Sequence, residues 1–114
     1  MPNLFDISVT SFEDDFNQKD FAVVTFYIIV VNVISDGRVF QFRKRFSDFS
    51  ALCADLMSQF EFKLQVPAKS FFRIGAEDNA TKESRRKGFD AFLKGMLTLV
   101  TNQKELLEYF EEGL

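Results

Sequence analysis

The chain contains no histidine, and this absence removes the base on which most hydrolytic active sites depend. Ser-His and Cys-His nucleophile arrangements and His-bearing metal sites are therefore excluded. The five glycines are scattered, and they form neither a Walker A loop nor a dinucleotide fingerprint. We therefore expect a protein that is not an enzyme, with no catalytic residues, no metal site and no cofactor.

Cysteine occurs once, at Cys53, so an internal disulfide is impossible. Its position in a helical apolar stripe favours a buried structural thiol over a reactive one. No short apolar segment follows a basic start, as it would in a secretory signal. The most apolar run, residues 21–34, is shorter than the roughly 20 residues of a membrane-spanning helix and is rich in β-branched and aromatic types. The sequence predicts a cytoplasmic protein and a long buried strand in this run.

The net charge is small, but positive and negative residues are unevenly distributed along the chain. The formal net charge of −3 argues against a nucleic-acid partner. Residues 1–37 carry one Lys against six acids, residues 38–94 carry twelve Lys and Arg against seven acids, and residues 95–114 carry one Lys against four acids. A basic middle in an acidic chain indicates a local anion site.

The length of 114 residues, with 46% hydrophobic residues and sixteen Phe, suits one globular domain spanning residues 1–114. Apolar and polar residues alternate over 4–12, which predicts a strand, and the charged segment 13–20 predicts a turn. A second strand over 21–35 leads to Asp36-Gly37, a two-residue signal typical of a type I′ hairpin. Residues 38–46 alternate again, with Phe40, Phe42 and Phe46 on one face and Gln41, Arg43 and Arg45 on the other.

From Ser47 the apolar period becomes helical, and Ser47 itself is a suitable N-cap. The stripe of this first helix consists of Phe49, Leu52, Cys53, Leu56, Met57 and Phe60. Residues 61–80 have no sustained period, and such a long connection suggests a function. A second helical stripe follows, at Phe89, Phe92, Leu93, Met96, Leu97 and Val100. A short last helix begins at Asn102, which with Glu105 is typical of a capping box. The predicted class is α+β, a three-stranded antiparallel meander packed against a small helical subdomain.

The stretch "RKRFSDFSAL", residues 43–52, joins the third strand to the first helix. An Arg fork, free helix N-terminal amides and the helix dipole together favour a phosphate monoester. Phe46 offers a flat apolar surface suited to the C–H face of a sugar or inositol ring.

This stretch resembles the signature of the PX (phox homology) domain, as found in sorting nexins, in which a strand ending in Arg leads into an aromatic and a Ser. Two further elements match in the same order, "VPAKSFF" at 66–72 and "ESRRKGFDAFL" at 83–93. The resemblance extends over nearly the whole chain and implies the PX fold. It also implies a phosphoinositide-binding module on endosomal membranes, most often for phosphatidylinositol 3-phosphate.

The resemblance implies a role for each matching residue. Arg45 would bind the 3-phosphate, Phe46 would stack beneath the inositol ring, and Ser47 with nearby N–H groups would complete the phosphate pocket. Lys69 would hold the 1-phosphate, and Arg85 would donate to the 4- and 5-hydroxyls and so disfavour headgroups phosphorylated there.

The long connection also suggests membrane insertion. Phe71, Phe72 and Ile74 are large apolar residues in an otherwise polar segment, and each contributes on the order of 1.5–3 kcal/mol if fully buried. The cations Arg73, Lys69 and Lys82 would add roughly 1 kcal/mol each at an anionic surface. Alternatively, Phe72 folds back to cover the core.

Several alternatives stay open from the sequence. Arg45 could be a solvated edge-strand charge, Ser47 only a helix cap, Lys69 an ordinary loop charge, and Arg86 could take the place of Arg85. Relatives commonly carry a proline-rich stretch before the Lys, whereas this chain has only Pro67 there, which makes the position of Lys69 less well defined. The alternative function is a protein-interaction domain of the same fold. A trafficking protein would then dock on the acidic N-terminal region or the last helix, with weak or broad lipid binding.

Overall fold

A three-stranded antiparallel sheet forms the N-terminal half of the molecule. The computed structural model describes residues 3–19, 21–67 and 79–112. Strands β1 (Phe5–Asn17), β2 (Ala22–Val33) and β3 (Val39–Arg45) lie in the order β1-β2-β3. The alternating apolar residues of the sequence therefore produce the expected meander, and the α+β class is confirmed.

The β1–β2 hairpin is longer than the sequence indicated. Residues 13–17 were expected in a turn, but they continue β1 and pair with 22–26 of β2. The Thr25 hydroxyl donates to the Asp14 carboxylate across the two strands at 2.7 Å. Polar residues that are exposed on a two-stranded ribbon need no alternation with apolar ones, so the pattern predicted the wrong boundary.

The β2–β3 connection is also longer than expected. It spans residues 34–38 rather than the two central residues of a type I′ turn. Gly37, with φ +73°, is the residue of this connection in the left-handed region, whereas a type I′ turn needs two. Backbone hydrogen bonds close the connection, from the Gly37 N–H to the Val33 carbonyl at 2.9 Å and from the Val33 N–H to the Arg38 carbonyl at 2.8 Å. The Asp36 carboxylate also accepts from the Arg38 backbone N–H at 3.0 Å.

Three helices follow the sheet: α1 (Phe46–Phe60), α2 (Asn79–Leu99) and α3 (Gln103–Glu111). The last two residues of the expected connection over 61–80 therefore belong to α2. Asn102 caps α3 as predicted, because its side chain accepts from the Glu105 backbone N–H at 3.1 Å. The Glu105 carboxylate accepts from the Asn102 side-chain amide rather than from its backbone, so the capping box is incomplete.

The core lies between the sheet and the helices, and the two predicted helical stripes supply most of it. Cys53 is fully buried, and burial raises the pKa of its thiol to about 12. Met57 and Phe60 at the end of the first stripe are only partly buried. Phe89 of α2 stacks on Phe49 of α1, with ring centroids 3.9 Å apart.

The edge of β1 is fastened to α2 at a β-bulge. The register shifts between Val9 and Ser11. The Val9 backbone N–H donates to the Asp90 carboxylate at 2.9 Å, and its carbonyl accepts from the Arg86 guanidinium at 2.7 Å. Two side chains of α2 thus satisfy the backbone where the sheet ladder is interrupted. Among the described residues, no helix combines the length and the apolar character needed to cross a bilayer.

Candidate functional site

The candidate site begins where β3 becomes α1 without an intervening loop. Arg45 is the last residue of β3 and also the N-cap of α1, with φ −69° and ψ 163°. The helix therefore begins at Phe46, and the expectation that Ser47 is the N-cap is wrong. Arg45 has no acceptor atom in its side chain, and it makes no capping hydrogen bond. The first-turn amides consequently keep their capacity to donate to an anion.

Arg45 itself is exposed and available. Within residues 3–19, 21–67 and 79–112, its guanidinium makes no hydrogen bond or ion pair. Other arginines in the same span are engaged by carboxylates; Arg43 pairs with Glu13 at 2.7 Å and with Asp15 at 3.2 Å. A rigid fork of donors that no carboxylate of the described residues occupies is chemically suited to an anion.

Phe46 and Arg85 are brought together although they are 39 positions apart in the chain. The guanidinium carbon of Arg85 lies 4.2 Å from the centroid of the Phe46 ring, in cation–π geometry. Phe46 is half-buried and rests on Phe89, with centroids 5.6 Å apart, whereas only 6% of Arg85 is exposed. The Arg85 guanidinium covers one face of the Phe46 ring. For an inositol ring to stack on this face, the guanidinium would have to move aside, toward the hydroxyls of the inositol.

Arg86, the alternative to Arg85, has a structural role. Its guanidinium donates to the Glu83 carboxylate at 2.6 Å and 3.0 Å and to the Val9 carbonyl at 2.7 Å. The same contact holds the pKa of Glu83 below its usual range, because the adjacent guanidinium stabilises the carboxylate. Arg86 therefore joins α2 to the sheet edge, and Arg85 is the member of the pair that faces the aromatic residue at the start of α1.

The predicted loop residues Lys69, Phe71, Phe72 and Ile74 lie outside the described residues. The segment that leads to them is described and packs closely on α2. A Cβ at Gly88 would lie 2.6 Å from Cγ of Pro67, so a side chain there would collide with the proline ring. Gly88 thus permits a close approach that fixes Pro67 beside the turn of α2 that carries Arg85.

An apolar surface at the tip of the β1–β2 hairpin is absent from the sequence-based prediction. Phe16, Phe21 and Val23 are 55%, 83% and 65% exposed. Arg45 pairs with Phe26, so the hairpin residues 14–17 and 22–25 project beyond the end of β3 at which Arg45 lies. Two Phe residues in the charged stretch "EDDFNQKDF" could have indicated this apolar surface. The stretch was interpreted as a turn because most of its residues are polar.

Lys82 does not have the role predicted for it. Only 8% of the residue is exposed, and its Nζ donates to both Asp14 carboxylate oxygens at 2.9 Å and 3.0 Å. This contact lowers the pKa of Asp14. Lys82 is thus not a free cation for an anionic surface; it connects the first turn of α2 to the projecting hairpin.

Comparisons with known proteins support this fold. The sequence model of the PX domain matches residues 32–112. The X-ray structure of a designed CISK-PX domain is 21% identical, with a TM-score of 0.68, and the match covers 91% of this chain and 96% of that chain. The crystal structure of the mouse SNX19 PX domain with bound sulphate ion is 17% identical, with a TM-score of 0.60, and covers 96% and 98% respectively. No curated protein sequence gives a significant match.

Proposed function

The chain belongs to the PX domain family, a family of phosphoinositide-binding modules, and from this premise we propose that it binds phosphatidylinositol 3-phosphate and recruits itself, or a protein that contains it, to endosomal membranes. The observation that carries the proposal is the exposed Arg45 guanidinium beside the first turn of α1, free of internal carboxylates in the described part of the chain. Such a group is suited to a dianionic phosphate, because charge-assisted hydrogen bonds to a planar fork are among the strongest available.

The neighbouring residues support a preference among phosphoinositides. Arg85 lies against the Phe46 ring, so a headgroup phosphate on Arg45 would place the inositol ring close to the Arg85 guanidinium. We propose that this guanidinium donates to the 4- and 5-hydroxyls, and that Ser47 with the first-turn amides completes the 3-phosphate site. Lys69 remains our proposal for the 1-phosphate.

A panel of liposomes tests the function directly. With every monophosphate and bisphosphate isomer compared at one salt concentration, we expect the tightest binding to phosphatidylinositol 3-phosphate and weaker binding to headgroups phosphorylated at the 4- or 5-position. Vesicles in which phosphatidylserine supplies the same total charge control for non-specific attraction. Weak binding of equal strength to all phosphoinositides would instead favour the protein-interaction domain.

We propose that the tip of the β1–β2 hairpin also contacts the membrane, in addition to Phe71, Phe72 and Ile74 of the long connection. Phe21 is 83% exposed and has φ +49°, an uncommon conformation for an aromatic residue. Because the hairpin projects past Arg45, a bilayer whose headgroup occupies the Arg45 site would meet Phe21 and Val23. We propose that these side chains enter the interface while the headgroup is bound.

Phe21→Ser should separate membrane residence from headgroup recognition. We expect its affinity for vesicles containing phosphatidylinositol 3-phosphate to fall about tenfold, which is the order of effect of withdrawing one partly inserted aromatic residue. Affinity for soluble inositol 1,3-bisphosphate should not change, because Phe21 does not contribute to the Arg45 site.

Leu99→Ser is the matched control for this substitution. Leu99 is 49% exposed, but it is the last residue of α2, about 25 Å along the helix axis from Lys82 at the hairpin end. This variant should bind vesicles as the parent does. Equal losses for Phe21→Ser and Leu99→Ser would show that the hairpin has no particular contact with the bilayer.

A further inference from the structure

Arg45 shares a row of the sheet with an acidic residue. Phe26 of β2 pairs with Glu13 on one side and with Arg45 on the other. Gln41, Arg43 and Arg45 are exposed, whereas Phe40 and Phe42 pack against the core, so the row lies on the outer face of the sheet. Across two strand spacings the backbones of Glu13 and Arg45 are about 10 Å apart. Two long side chains extended over Phe26 can meet across that distance.

Arg43 occupies the space in which they would meet. Its guanidinium carbon lies 4.2 Å from the centroid of the Phe26 ring. Its Nε is 2.7 Å from the Glu13 carboxylate, and a terminal nitrogen is 3.2 Å from the Asp15 carboxylate. Two acids on this face of the sheet, Glu13 and Asp15, are therefore engaged by the arginine two positions before Arg45 in the same strand.

We propose that Arg43 is a positioning residue that keeps Arg45 available for its anion by occupying Glu13 and Asp15. Without Arg43, the two carboxylates lose their cation, and Arg45 is the next guanidinium on the same face. An Arg45 held across Phe26 by Glu13 points away from the helix start, and a phosphate must compete with that internal carboxylate. The effect on binding rests on the proposed function, whereas the change in the partner of Arg45 does not.

Substitutions by uncharged side chains of similar size test this directly. By calorimetry with inositol 1,3-bisphosphate, Arg43→Met should bind about two- to sixfold more weakly, because an exposed ion pair would hold Arg45 in its non-binding position for most of the time. Adding Glu13→Gln and Asp15→Asn to Arg43→Met removes the competing acids and should return the affinity to within about twofold of the parent. A merely structural role of Arg43 predicts no such rescue.

Arg38→Met is a matched control just before the same strand. Arg38 also pairs with two carboxylates, those of Asp36 and Glu111, and lies over an aromatic ring, that of Phe40 at 5.4 Å. It precedes β3, at the end of the strand opposite Arg45. Its replacement should leave the headgroup affinity unchanged. If Arg43→Met binds as tightly as Arg38→Met, or if the triple variant binds no better than Arg43→Met, the proposal is overturned.

A second measurement is independent of ligand binding. In NMR spectra, the Nε–Hε signal of Arg45 can be assigned by its loss in Arg45→Lys. The Hε proton should exchange with water more slowly in Arg43→Met than in the parent, because a carboxylate then holds the guanidinium. In the triple variant the exchange rate should return to that of the parent. An unchanged signal overturns the positioning role even if the parent binds no phosphoinositide. A parent that does not bind inositol 1,3-bisphosphate while the signal changes as expected would refute the proposed function and retain the role of Arg43.

Discussion

Arg45→Ala should reduce binding to liposomes containing phosphatidylinositol 3-phosphate by about a hundredfold or more, since it removes a bidentate, charge-assisted contact to the phosphate. The free energy of unfolding should change by less than about 0.5 kcal/mol, because the Arg45 side chain is exposed and makes no hydrogen bond or ion pair within the described part of the chain. Liposome co-sedimentation and urea unfolding measure the two quantities.

Arg45→Lys refines this expectation. Lysine keeps the positive charge but replaces the planar fork by a single hydrated ammonium, so binding should recover only in part. Arg38→Ala serves as a charge-matched control at the other end of β3 and should bind as the parent does. If Arg45→Ala bound liposomes normally, the anion site would have to lie elsewhere, and the assignments of Phe46 and Ser47 would be lost with it.

The order of elements could be predicted because each depends on local periodicity. The apolar stripes of α1 and α2 fall on the buried faces, with Cys53 and Phe89 fully buried, since a helix has only one face to offer to the core. The step from β3 into α1 was visible in the change from period two to period 3.6 around Phe46. Local sequence was sufficient for these features.

Features that depend on distant partners could not be predicted in the same way. The extension of β1 to Asn17 is accompanied by the contact of Asp14 with Lys82, which lies 68 positions away. The distinction between Arg85 and Arg86 is made by Glu83 and the Val9 carbonyl, which hold Arg86. Neither contact leaves a periodic signal, because each involves single polar side chains on partly exposed faces.

The N-cap of α1 was mispredicted for a related reason. Ser47 is a good cap by residue type, and the sequence rule prefers it to Arg45. In the structure β3 runs directly into the helix, so the position before the first helical residue belongs to an arginine. A helix start with a cation in place of a capping oxygen is less stable by itself. This departure from the local rule lies at the candidate site, where functional demands compete with local preference.

The largest effect on stability is expected at Phe89, on which the start of α1 rests. The ring is fully buried, stacks on Phe49 at 3.9 Å, and meets Tyr27 at 5.4 Å and Phe46 at 5.6 Å. Phe89→Ala should lower the free energy of unfolding by about 3–5 kcal/mol, because the cavity it leaves is bordered by rings from α1 and β2. The melting temperature should fall on the order of 15–25 °C.

Phe89→Leu distinguishes the packing role of this residue from any role in binding. Leucine retains much of the apolar volume, so its cost should stay below about 2 kcal/mol and the variant should remain folded. The fork of Arg45 and the first-turn amides do not involve the Phe89 ring, so folded Phe89→Leu should still bind phosphatidylinositol 3-phosphate liposomes. Loss of binding in this folded variant would mean that the support of Phe46 by Phe89 sets the geometry of the anion site. If the free energy of unfolding of Phe89→Ala lay within about 1 kcal/mol of that of the parent, the contacts of Phe89 with Phe46 and Phe49 would not be what holds α1 against α2.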